Sequence, residues 1–81
     1  MSDTMRTMES ASVESNIQGH PRYRAKVYYH HSMDFGAVYF DAGVLLDRRT
    51  QVETEYTAGM LGISEAVYAV AEEEAFEVAS I

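Results

Sequence analysis

Residues 22–46 constrain the fold more than any other stretch, because their apolar and polar residues alternate. From Arg22 to His30, Tyr23, Ala25, Val27 and Tyr29 fall on one side and Arg22, Arg24, Lys26, Tyr28 and His30 on the other. Side chains alternate across a strand, so this pattern predicts a half-buried strand with a basic, aromatic outer face. Residues 37–46 repeat the pattern. Val38, Phe40, Ala42, Val44 and Leu46 share one face, with Ala37, Tyr39 and Asp41 opposite. Ser32, Met33, Asp34 and Phe35, followed by Gly36, supply the hairpin loop. A register with His31 facing Gly36 sets Tyr29 against Val38, Val27 against Phe40 and Ala25 against Ala42. On the outer face it sets Tyr28 against Tyr39 and Lys26 against Asp41.

After a turn at Asp47, Arg48 and Arg49, residues 50–57 predict a third strand, pointing Val52, Thr54 and Tyr56 inward and Glu53 and Glu55 outward; a helix over 50–58 competes with it. Gly59 and Gly62 interrupt the chain. Ser64 is a good N-cap and Glu65 suits the first turn of a helix, whose expected buried stripe is Val67, Val70 and Ala71. Residues 75–81 read either as more helix or as a strand alternating Phe76, Val78 and Ser80 with Glu77 and Ala79. The expected fold class is α+β: a three-stranded antiparallel meander packed on one C-terminal helix (βββα), with a short fourth strand at 76–81 as an option. The expected core is Val27, Tyr29, Val38, Phe40, Val44, Val67 and Val70.

Residues 1–20 are rich in Ser, Thr, Met and Glu, and only Val13 and Ile17 hint at a helical turn. They predict a flexible N-terminal arm, dispensable for folding, ahead of a small α+β domain at 21–81. Met1, Met5 and Met8 would give such an arm an adaptable contact surface.

With 81 residues there is one domain at most, and with no cysteine there is no disulfide framework or thiolate metal site. No apolar run approaches the roughly 20 residues of a membrane span, and the N-terminus lacks the hydrophobic core of a signal peptide, so a cytoplasmic protein without a membrane partner is expected. Thirteen acids against six bases, a formal charge of -7, argue against direct binding of nucleic acid or anionic lipid and for a basic protein partner.

The residues offer little catalytic chemistry. His30 and His31 point to opposite faces of a strand and do not readily share an ion; His31 with Asp34 lacks a third ligand. Ser32 beside His31 and near Asp34 is better read as a turn former than as a nucleophile. No catalytic residue, metal or cofactor is assigned. Two surfaces remain. Arg24, Lys26, Tyr28 and Tyr39 form a candidate partner-binding face on the sheet, with base stacking as a lesser reading because Asp41, Glu53 and Glu55 share that face. Glu72, Glu73, Glu74 and Glu77 form a candidate docking site for a partner's Arg or Lys. The expectation is a non-enzymatic interaction module: an adaptor, inhibitor or assembly factor of the kind phages and mobile elements encode. The alternatives are a structural accessory subunit of a larger particle, with self-association, or an acidic nucleic-acid mimic.

Overall fold

The computed structural model describes residues 11–32 and 36–80. The chain is α+β: one antiparallel meander of four strands packs against one C-terminal helix. The strands are β1 (Ala11–Asn16), β2 (Tyr23–His31), β3 (Val38–Asp47) and β4 (Glu53–Thr54), in that order across the sheet, and the helix is α1 (Glu65–Ala79).

β1 lies inside the segment expected to be a flexible arm. Its short alternation places Ala11, Val13 and Ser15 level with Tyr29, Val27 and Ala25 of β2, on the helix side. Glu14 falls opposite Lys26 on the outer side. Ile17, just beyond the strand, is 2 % exposed and belongs to the core. The fold therefore begins no later than residue 11, and the boundary expected at 20/21 falls within it. Residues 1–10, with Met1, Met5 and Met8, lie outside the described residues, as do Met33, Asp34 and Phe35 of the hairpin loop.

β2 sorts its side chains as its sequence predicts, with Ala25 and Val27 fully buried on the helix side. The β2–β3 register differs from the expected one. His31 pairs with Val38 and Tyr29 with Phe40, whereas Tyr28 pairs with Ala42 and Tyr23 with Asp47. Asp41 is thus an extra residue in β3, a bulge. Toward the loop the difference from the expected pairing is two residues, which preserves the faces. Below the bulge it is three, which exchanges them. Gly43 and Leu45 therefore turn toward the helix, and Val44 and Leu46 turn away. The expected pairs Tyr28–Tyr39 and Lys26–Asp41 do not form. Adjacent leucines make the exchange tolerable, since Leu45 and Leu46 are both buried, one on each face.

The third expected strand shortens to Glu53–Thr54, paired with Leu46 and Leu45. Tyr56 leaves the sheet and stacks on Tyr68 of α1, with ring centroids 4.1 Å apart and planes within 8°. Its hydroxyl donates to the Ile63 carbonyl. Val52, expected inside, is exposed.

Ser64 caps α1, its Oγ accepting from the Val67 amide at 3.2 Å. The stripe that reaches the sheet is Tyr68, Ala71, Ala75 and Ala79, rotated from the expected one, which leaves Val70 exposed. Alanines let the helix axis approach β1 and β2 closely. They also continue the helical period through residues 75–79, with no Gly or Pro to interrupt it. That is why residues 76–79 are helix and not the optional strand. The main core joins Ile17, Ala25, Leu45, Ile63, Tyr68 and Ala71. Of the expected core, Val27 is buried and Val67 packs at its margin, while Phe40 is 50 % exposed because α1 sits over β1 and β2 and meets β3 only at the rim. Phe40 touches α1 through an edge-on contact with Phe76, centroids 6.0 Å apart.

Candidate interaction surfaces

The outer face of the sheet carries the cations of β2 and its flanks, and each has a carboxylate beside it. Arg22 donates from Nε and Nη2 to the Asp47 carboxylate at 3.0 and 2.9 Å. Arg24 Nη1 lies 3.6 Å from Glu14 Oε1. Lys26 Nζ donates to Glu53 Oε2 at 2.6 Å. These pairs arise from strand order: β1 brings Glu14 to one side of β2, and β4 brings Glu53 across β3 from the other. The electrostatic response follows. Hydrogen bonding to Arg22 pulls the Asp47 carboxyl down to about 2, and Lys26 likewise lowers Glu53. Glu53 in turn holds the Lys26 ammonium above its ordinary value.

The aromatic residues of this face are engaged as well. Tyr28 donates its hydroxyl to Glu53 Oε1 at 2.7 Å, and the Lys26 ammonium sits 5.1 Å from the Tyr28 ring centroid. Tyr39 stacks on His30, centroids 5.4 Å apart, and His30 Nδ1 lies 2.8 Å from Asp41 Oδ1 at the bulge. Arg24, Lys26, Tyr28 and Tyr39 share the outer face, but the two tyrosines do not form a joint platform. His30 and His31 project to opposite faces, as adjacent strand residues must; His31 meets Tyr29 edge-on at 5.8 Å. Among the described residues no three His, Asp or Glu side chains converge as metal ligands. The Asp34 side chain, a candidate turn former and ligand, lies outside them.

The helix side has the opposite character. Glu65, Glu72, Glu73, Glu74 and Glu77 all lie on α1, and among the described residues none is ion-paired with a cation. At 3.6 residues per turn the four candidate glutamates do not share one face. Glu73 and Glu77 stand on the solvent-facing crown. Glu74 leans toward β1, where Ser15 donates to it at 3.3 Å. Glu72 leans the other way, over Gly43 of β3. Glu72 is half buried, and burial without a compensating cation pushes its carboxyl above the ordinary carboxylate value. Tyr68 beneath it is pushed up to about 12, first by burial and then by the Glu72 charge. The acidic run is legible in the sequence but the place of Glu72 is not, because only the bulge in β3 sets which residue faces it.

No helix among the described residues is long and apolar enough to cross a membrane. Comparison with protein-family models, with curated proteins and with solved structures finds no match to the chain.

Proposed function

We propose that this chain is a non-enzymatic protein–protein interaction module, acting as an adaptor, inhibitor or assembly factor, and that it binds a cationic protein partner through its helix side. One observation carries this reading. The cations of the sheet are neutralised within the molecule by Asp47, Glu14 and Glu53, whereas the carboxylates of α1 have no cation beside them among the described residues. Among the described residues, five of the carboxylates without a cation beside them, Glu65, Glu72, Glu73, Glu74 and Glu77, therefore lie on the helix, with Glu55 near its edge. A surface of one sign speeds association with a complementary partner and suppresses like-charged ones. The proposal includes a cytoplasmic setting, which suits a chain without cysteine.

The same carboxylates support a second reading, an acidic mimic that occupies the nucleic-acid site of a DNA- or RNA-binding protein. Direct binding of nucleic acid by the sheet face ranks lower, since Glu14, Asp41 and Glu53 would meet the phosphates. The structural accessory subunit ranks below both.

Affinity capture from native lysate with mass spectrometry, followed by charge removal, tests the proposal. Gln at 72, 73, 74 and 77 keeps side-chain size and helix propensity. It is expected to weaken binding to the captured protein and to remove most of its salt dependence. Gln at Arg22, Arg24 and Lys26 is expected to leave affinity near the parent value. The reverse ranking moves the interface to the sheet. A nucleic-acid-binding partner displaced by DNA or RNA selects the mimic, and capture of the chain's own copies selects the structural role.

A further inference from the structure

β3 spans Val38–Asp47, but β4 covers only Leu45 and Leu46. Continued pairing would set Val44 against Glu55 and Gly43 against Tyr56. Tyr56 instead stacks on Tyr68, so the chain leaves β3 after Thr54. Among the described residues no strand lies beside Ala42, Gly43 and Val44 on that side. An uncovered edge of this kind is a template for an added strand. The Asp41 bulge limits the regular edge at one end and β4 limits it at the other, so backbone pairing is short and a side chain must supply specificity.

A recess of about 290 Å³ opens beside this edge, lined by Gly43, Glu55, Tyr56, Glu65, Tyr68 and Glu72. Gly43 leaves room for the Glu72 carboxylate there. A Cβ at position 43 would collide with the Glu72 carboxylate and come within 3.3 Å of the Phe40 ring. The recess thus combines aromatic walls from the tyrosine pair with three carboxylates, one of them partly desolvated and uncompensated. A neutral occupant would desolvate these carboxylates further without pairing them, and an acidic one would be repelled. A Lys or Arg head relieves the charge while its alkyl stem covers apolar surface.

We infer that the edge at residues 42–44 binds an extended segment of the partner protein, with one Lys or Arg side chain entering the recess between Gly43, Glu55 and Glu72. This rests on the helix-side reading above and specifies where on that side the cation goes. A second copy of the chain, at -7, brings like charge to the site and is the disfavoured occupant.

The test uses the full ¹⁵N-labelled chain and short synthetic peptides of alternating Val and Ser with one central Lys, Arg or Gln. The Lys and Arg peptides are expected to shift the amides of residues 42–44, 55–56 and 72. They should bind roughly tenfold or more tightly than the Gln peptide. Glu72→Gln and, separately, Glu55→Gln should erode that preference, while Glu73→Gln on the crown should preserve it. Equal affinity of the Lys and Gln peptides overturns the inference. So does the absence of shifts at millimolar peptide, or shifts of residues 42–44 that follow protein concentration alone. If Gln at 73 and 77 weakens the captured partner while Glu72→Gln does not, the helix-side reading stands and this site falls.

Discussion

The carboxylate of Glu72 on α1 lies directly over Gly43 of β3, in space that any larger residue at 43 would claim. The colliding atoms are the far end of a flexible side chain, so Gly43→Ala should swing Glu72 outward and leave the helix in place. Alanine also restricts the unfolded chain more than glycine does. The melting temperature is expected to stay close to the parent value, with stability changed by less than about 1 kcal/mol. The upward shift of the Glu72 carboxyl should shrink as the group returns to water. A large loss of stability would show that Glu72 is held in place.

Core substitutions separate the observed packing from the packing expected on alternation alone. Ile63 is fully buried, and Ile63→Ala should cost about 2–5 kcal/mol. Ala75 is fully buried where α1 approaches the sheet, and Ala75→Leu should cost about 1–3 kcal/mol by overpacking. Phe40→Ala should fall below the roughly 3–5 kcal/mol of a buried phenylalanine, because half of Phe40 faces solvent. Denaturant unfolding of the three variants checks the ranking.

A chain starting at Pro21 lacks β1 and Ile17. It exposes the edge of β2 and the Ala71 side of the helix, and it should show no cooperative melt. Ile17→Ala in the full chain should cost about 2–5 kcal/mol. A truncated chain that melted like the parent would make β1 an accessory strand.

The sequence carries the faces of β2, the cap at Ser64 and the fold class in plain view, since each is a local pattern that tertiary structure reinforces. It hides β1 because Val13 is its one β-branched residue, and Val13 with Ile17 imitates a helical turn. It hides the bulge because Leu45 and Leu46 let either register bury a leucine. The outer-face pairs differ from the expected ones for two reasons: the two-residue shift on the loop side sets Tyr39 against His30, and the three-residue shift below the bulge sets Lys26 against Val44, from where it reaches Glu53 across β3. The sequence points to a stripe of Val67, Val70 and Ala71 because valine outranks alanine in hydrophobicity, whereas packing of the helix on the sheet selects for small size at Ala71, Ala75 and Ala79. The acidic run was legible as composition, but its division between the crown and the β3 rim depends on where α1 sits.

Acid stability should depend on Asp47. Pairing with Arg22 lowers its carboxyl from an ordinary 3.8 to about 2, so the ionised form is favoured by folding. That contribution is complete above the ordinary value and fades as pH falls toward 2. Asp47→Asn should therefore be less stable than the parent near neutrality, and the two should converge in strong acid. The substitution also weakens the turn, because Asp47 Oδ1 accepts from the Arg49 amide at 2.9 Å. A constant gap between the two proteins across that range would mean that the turn, and not the ion pair, sets the difference.

Titration of the side-chain carboxyl carbons by NMR tests most directly the division of charge on which the functional reading rests. Asp47 and Glu53, paired across the sheet, are expected to titrate below ordinary carboxylates, and Glu72, uncompensated above Gly43, above them. If Glu72 instead titrates on the low side with Asp47 and Glu53, it already has a cation or donor beside it. The helix side would then hold no uncompensated charge at that point for a partner's Lys or Arg to meet.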